Sequence, residues 1–128
     1  MREPLPPDLF DEVCPTALSP VRVGDKWAAM ILTCLADGPR RFSELRVPLR
    51  RVTPKVLTAS LRALERDGLI ARDETRAASG RRVEYRLTPL GESLLGPLEV
   101  VCGWVREHID ELLAARESFD AARERRTA

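Results

Sequence analysis

The stretch "TPKVLTASLRALERDG" (53–68) constrains the fold most, because both ends of a helix are written into it. Thr53 is placed to accept a hydrogen bond from a first-turn amide as N-cap. Pro54 follows at the first helical position, where its missing N–H leaves no bond unmade. Gly68 stands where the chain must leave the helix in a left-handed conformation. At about 100° per residue, Leu57, Leu61 and Leu64 form one stripe. Lys55, Ala59, Arg62 and Arg66 fall on the opposite side, with Thr58 beside them. One face is suited to a core, and the other presents cations around a small residue.

Two further helices are expected before it. In "GDKWAAMILTCLADGP" (24–39), Trp27, Ile31, Cys34 and Leu35 recur at helical spacing, and Gly38-Pro39 stops the run. "RRFSELRVP" (40–48) predicts a shorter helix with Phe42 and Leu45 inward, ended by Pro48; "LRRV" (49–52) is the turn into Thr53. A short helix is also expected after Pro15, limited by Pro20, behind a flexible proline-rich arm at 1–12.

After Gly68, "LIARDET" (69–75) predicts a strand, "AASG" (77–80) a loop and "RVEYRL" (82–87) a second strand. The second strand alternates cleanly, with Val83, Tyr85 and Leu87 on one face and Arg82, Glu84 and Arg86 on the other. Thr88-Pro89 repeats the cap-plus-proline start, opening a long helix to about Leu113 with a kink at Gly96-Pro97. Its residues Leu94, Leu98, Val101, Val105, His108 and Leu112 step by fours and threes, with Cys102 and Ile109 alongside. That spacing makes a helix–helix seam, within one chain or between two. A charged tail, 116–128, is expected to fray. The folded domain is therefore 13–115.

Helices followed by a hairpin, the second and third helices forming a helix-turn-helix, give a mainly α fold with a small β-hairpin: a winged helix-turn-helix. Such a fold sets its recognition helix in the major groove of double-stranded DNA. Charge supports this partner. Residues 40–86 hold 13 Lys+Arg against 6 Asp+Glu, a net of +7, while the whole chain is only +1. A basic middle between acidic flanks points to a polyanion more than to a merely solvated surface. The candidate DNA contacts are Thr53, Lys55, Thr58, Ala59, Arg62 and Arg66 on the helix and Arg76, Arg81 and Arg82 on the wing. Arg40, Arg41, Arg50 and Arg51 are further phosphate candidates.

Other classes fit poorly. The three cysteines, Cys14, Cys34 and Cys102, are odd in number and widely spaced, which suits neither a disulfide framework nor a zinc site. His108 is the single histidine, and no glycine-rich phosphate loop or paired-carboxylate motif is present, so neither catalysis nor a cofactor is expected. No apolar run approaches the roughly 20 residues of a membrane span, and no signal peptide is evident, which makes the cytoplasm the expected compartment.

The pieces "CP" (14–15), "GDKW" (24–27), "GPRRFSELR" (38–46), "TPKVLTASLRALERDGLI" (53–70) and "VEYRLTPLG" (83–91) occur in one order and spacing. In these the chain resembles the HxlR-type bacterial winged helix-turn-helix regulators. The resemblance implies a homodimer joined through N- and C-terminal helices, a pseudo-palindromic operator, and regulation of nearby genes. It also implies that Cys14 is the position at which several family members sense oxidants or electrophiles, so a small-molecule or electrophile inducer is expected. Pro20 and Arg22 depart from the uninterrupted apolar helix the family runs up to this point. The competing reading is a winged helix that serves only protein interaction and dimerisation. Salt separates the two, since DNA binding falls steeply with it and an apolar seam barely responds.

Overall fold

The computed structural model describes residues 3–9 and 26–127. Cys14, Pro20, Arg22 and the helix expected after Pro15 lie outside the described residues. The elements are α1 (Lys26–Cys34), α2 (Phe42–Leu45), α3 (Pro54–Arg66), β1 (Ile70–Ala77), β2 (Gly80–Leu87) and α4 (Pro89–Thr127). The chain divides into two compact units, Met1–Ser93 and Leu94–Ala128.

In the first unit, α1 buries Ala28, Ile31 and Leu32, and Leu35, just past its end, is buried with them. These four positions are the i, i+3, i+4, i+7 stripe of one helix face. Trp27 and Cys34 flank that stripe and are only half-buried, so the expected inward set of Trp27, Ile31, Cys34 and Leu35 is corrected at two positions. Leu45 of α2, and Leu49 and Val52 of the following turn, complete the layer over α3, and Phe42 is half-buried at its margin. Leu57, Leu61 and Leu64 are at most 2% exposed. Burying each leucine fully contributes about 1.5–3 kcal/mol, so this stripe is what holds α3 in place.

The exit from α3 is a Schellman turn. Gly68 has φ +75°, its N–H donates to the Glu65 carbonyl (3.0 Å), and the Leu69 N–H donates to the Leu64 carbonyl (3.0 Å). The chain is thereby turned straight into β1, whose first residue, Ile70, is buried opposite Leu87.

The antiparallel pairing of β1 with β2 runs from Ile70↔Leu87 to Ala77↔Gly80. The expected four-residue loop is in fact a two-residue turn at Ala78 and Ser79, with Ala77 and Gly80 as the last rung. The hairpin is longer than the sequence suggests because polar residues at its tip still alternate and still pair. A further rung forms on the outer edge of β2. There the Arg40 N–H donates to the Tyr85 carbonyl (2.9 Å) and the Tyr85 N–H to the Arg40 carbonyl (2.8 Å).

Thr88 joins the hairpin to α4. Its hydroxyl accepts from the Gly91 N–H (3.1 Å) as the helix cap and faces the Gly68 carbonyl at 2.6 Å. The helix then continues through Gly96 and Pro97 to Thr127, beyond the end near Leu113 that the sequence suggests. Its last turns are charged yet rich in alanine, arginine and glutamate, all strong helix formers. Among the described residues no helix is long and apolar enough to cross a membrane.

Candidate nucleic-acid interface

Helix α3 is fixed at both ends and along one side. The Thr53 hydroxyl accepts from the Val56 N–H (3.2 Å), and Pro54 occupies the first turn. Just before it, the guanidinium of Arg46 donates to the Val52 carbonyl, tying the end of α2 to the turn that starts α3. With the leucines inward, Lys55, Ala59, Arg62 and Arg66 are exposed on the far side, Thr53 is exposed at the start, and Thr58 is half-buried beside them. Among the described residues, Lys55, Arg62 and Arg66 form no ion pair. The structure thus brings these side chains together as an unneutralised cationic face.

The hairpin cations are arranged differently. Arg81 Nε lies 2.8 Å from Glu74 Oε1, Arg76 Nε lies 3.8 Å from the same oxygen, and Arg72 lies 3.6 Å from Oε2. Arg82 pairs with Glu84 (2.8 Å) and Arg86 with Asp73 (2.7 Å). The register sets Arg76 directly opposite Arg81, whereas Arg82 opposes Thr75. Neighbouring strand residues point to opposite faces, so Arg81 and Arg82 stand on different sides of the hairpin. The sequence groups Arg76, Arg81 and Arg82 as one tip, and the structure separates the third from the other two. That grouping omits Arg72 and Glu74, although the alternation Ile70, Arg72, Glu74, Arg76 signals their shared face.

Arg40 pairs with Glu44 (3.5 Å), and Arg41, Arg50 and Arg51 are exposed. The Arg41 N–H donates to Glu44 Oε1 (3.0 Å). That bond first, and the nearby Arg40 charge in addition, hold the Glu44 carboxyl below its ordinary range. Arg50 and Arg51 border a cleft of about 450 Å³ together with Trp27, Met30 and Val47. Cys34 opens onto a second cleft with Arg40 and Val47. Burial pushes its thiol up, and Arg40 partly opposes this.

On α4, taken alone, Leu98 is buried within the single chain, and Leu94, Val105, His108 and Leu112 are half-buried. Val101, Cys102 and Ile109 are exposed, as are Trp104 (52%), Leu113 and Phe119, which lie outside the expected seam. Trp104 stacks on His108 at 4.7 Å.

A helix-turn-helix followed by a two-stranded wing defines a winged helix-turn-helix protein. Solved structures agree with this. The transcriptional regulator ytfH from Salmonella typhimurium matches with a TM-score of 0.68 at 38% identity, over 85% of this chain and 96% of that one. The redox regulator HypR in its oxidised form matches with a TM-score of 0.65 at 31% identity, over 73% and 96%. The chain belongs to the HxlR-like helix-turn-helix family, whose model matches residues 22–112. Among curated relatives, the HTH-type transcriptional regulator YtfH of Escherichia coli K12 is 37% identical over 110 residues, 86% of each chain.

Proposed function

We propose that the chain is a sequence-specific DNA-binding transcription regulator acting as a homodimer. The observation that carries this reading is the outward face of α3, where Lys55, Arg62 and Arg66 are exposed and have no ion-pair partner among the described residues. A duplex supplies those counterions as phosphates and adds hydrogen-bond acceptors on its base edges. Thr53, Lys55 and Thr58, near the helix start, reach base edges in the major groove, and Arg66 at the far end meets phosphate. Ala59 keeps the centre of the face low enough for close approach. Arg76 and Arg81 of the wing, with Arg40, Arg41 and Arg51, add phosphate contacts beside it.

Dimerisation uses the apolar residues of α4. Val101, Trp104, Ile109 and Leu113 are exposed in the single chain, and covering them gives a second copy its driving force. The dimer then sets two α3 helices about 34–36 Å apart, or a multiple of that, on a pseudo-palindromic site. Cys14 is the switch in this reading, supported by the family and by the redox regulator HypR among the similar structures. Its oxidation or alkylation shifts the dimer between two geometries.

Mobility shift with the chain's own upstream region is the direct test. A specific shift that weakens steeply with salt is expected. No specific shift at low salt overturns the reading. For the switch, Cys14→Ser removes the response of DNA affinity to mild oxidant; an unchanged response retires it.

A further inference from the structure

The wing's charges are divided between its two faces in a way that its composition hides. On one face, three cations, Arg72, Arg76 and Arg81, surround one anion, Glu74, leaving a net of +2. On the other face, two cations, Arg82 and Arg86, are matched by two anions, Glu84 and Asp73, leaving none. Both pairs on the neutral face are close, at 2.8 and 2.7 Å. On the cationic face only Arg81 is held that closely, at 2.8 Å, while Arg72 and Arg76 stand 3.6 and 3.8 Å from the shared carboxylate.

From this we infer that the wing is one-sided: it meets phosphate with the Arg72, Arg76 and Arg81 face, and Glu74 is a built-in competitor for that phosphate. This rests on the DNA-binding reading above and adds two residues, Arg72 and Glu74, to it.

The physical reason is geometric. A guanidinium binds a carboxylate and a phosphate oxygen through the same N–H fork. Glu74 Oε1 occupies Arg81 Nε, so a phosphate approaching Arg81 displaces it and leaves Glu74 beside a second anion. Arg72 and Arg76 are looser and accept phosphate with less rearrangement. On the neutral face, each guanidinium taken by phosphate strands a carboxylate of its own, and no surplus cation offsets it. The paired side chains are solvent-accessible, with Glu74 at 31% and Arg81 at 54%, so the competition is modest and screened by salt. Glu74 therefore tempers how tightly the wing grips any duplex and leaves sequence choice to α3.

The test titrates a random-sequence 30-base-pair duplex by fluorescence anisotropy from low to moderate salt, with the full chain and four variants. Glu74→Gln keeps the shape and removes the competing charge. It is expected to bind about two- to five-fold tighter. The magnitude of its log K against log salt slope should rise by about 0.9, the increment for one more phosphate neutralised. Arg72→Ala and Arg81→Ala are expected to weaken binding, and Arg82→Ala to weaken it less than either. Thermal melting of each variant separates lost binding from lost fold.

If Glu74→Gln binds equally or more weakly, Glu74 is no competitor and the inference falls. If Arg82→Ala loses as much as Arg81→Ala, the one-sided wing falls. A wild-type chain that binds neither this duplex nor its own upstream region overturns the DNA reading itself, and the inference with it.

Discussion

Gly91 of α4 sits directly on the backbone of Leu69, so closely that a Cβ there would collide with the Leu69 carbonyl oxygen. The Leu69 carbonyl carbon would be 3.0 Å away and Leu87 Cδ2 3.2 Å. This approach brings the start of α4 against the exit from α3, where Thr88 already bridges the two through the Gly68 carbonyl. In an exposed helix, Gly→Ala stabilises by roughly 1 kcal/mol through propensity. Here backbone opposes the new methyl group, and overpacking costs about 1–3 kcal/mol. Gly91→Ala is expected to lower the melting temperature, and a variant that melts at or above wild type contradicts the close approach.

Arg46 gives a second prediction. It is half-buried, and its guanidinium holds the Val52 carbonyl at the entry to α3. Hydrogen bonds to charged groups contribute about 1.5–3 kcal/mol. Arg46→Ala should destabilise the fold by that order in denaturant titration. Its DNA affinity should fall on every sequence tested, because α3 loses its register while its DNA-facing residues stay the same.

Much of this is legible in the sequence because strong local signals agree. Thr53-Pro54 and Gly68 mark both ends of α3, and the Leu57, Leu61 and Leu64 stripe is the buried set. The clean alternation of Val83, Tyr85 and Leu87 likewise places β2. What escapes depends on pairing between distant residues. The two faces of the wing follow from the register of β1 against β2, which the tip arginines by themselves do not contain. Arg46 is invisible for the same reason, since its partner is a backbone carbonyl six residues away. The end of α4 escapes because its charge resembles that of a fraying tail, although alanine, arginine and glutamate favour helix.

The division of labour on α3 predicts different behaviour for two substitutions. Lys55→Ala, near the helix start, should weaken binding to the operator more than to random duplex. Loss of a base-edge hydrogen bond costs about 1–3 kcal/mol of discrimination. Arg66→Ala, at the far end, should weaken both alike and make the salt slope shallower by about one phosphate's worth. Competition titrations on the two duplexes measure the ratio directly. Equal losses on both duplexes for Lys55→Ala would remove it from base readout.

Acid sensitivity is expected at the head of α2. The Arg41 N–H and the Arg40 guanidinium favour the ionised Glu44 carboxyl, so its folded pKa is depressed. Stability from a depressed carboxylate is complete above its unfolded pKa and is lost as pH falls through the folded one. Glu44→Gln should therefore lower stability at neutral pH, leave it little changed in acid, and so flatten the acid limb of a stability-against-pH curve. An acid limb identical to wild type would show that Glu44 carries none of it.

The two described cysteines should respond oppositely to a thiol-alkylating reagent, and the contrast tests where α4 dimerises. Cys34 is half-buried, and its thiol is pushed up by that burial, with Arg40 opposing. Because the thiolate is the reactive form, Cys34 should label slowly at neutral pH. Removing the cation by Arg40→Ala should slow it further. Cys102 is exposed in the single chain, next to the exposed Val101. In dilute protein it should label quickly, and with rising concentration a second copy covering that side of α4 should protect it. Site-resolved mass spectrometry follows both thiols in one sample. Protection of Cys102 at a concentration where light scattering reports a dimer places it in the interface. Rapid labelling of Cys102 in a demonstrated dimer would move the interface to another side of the helix.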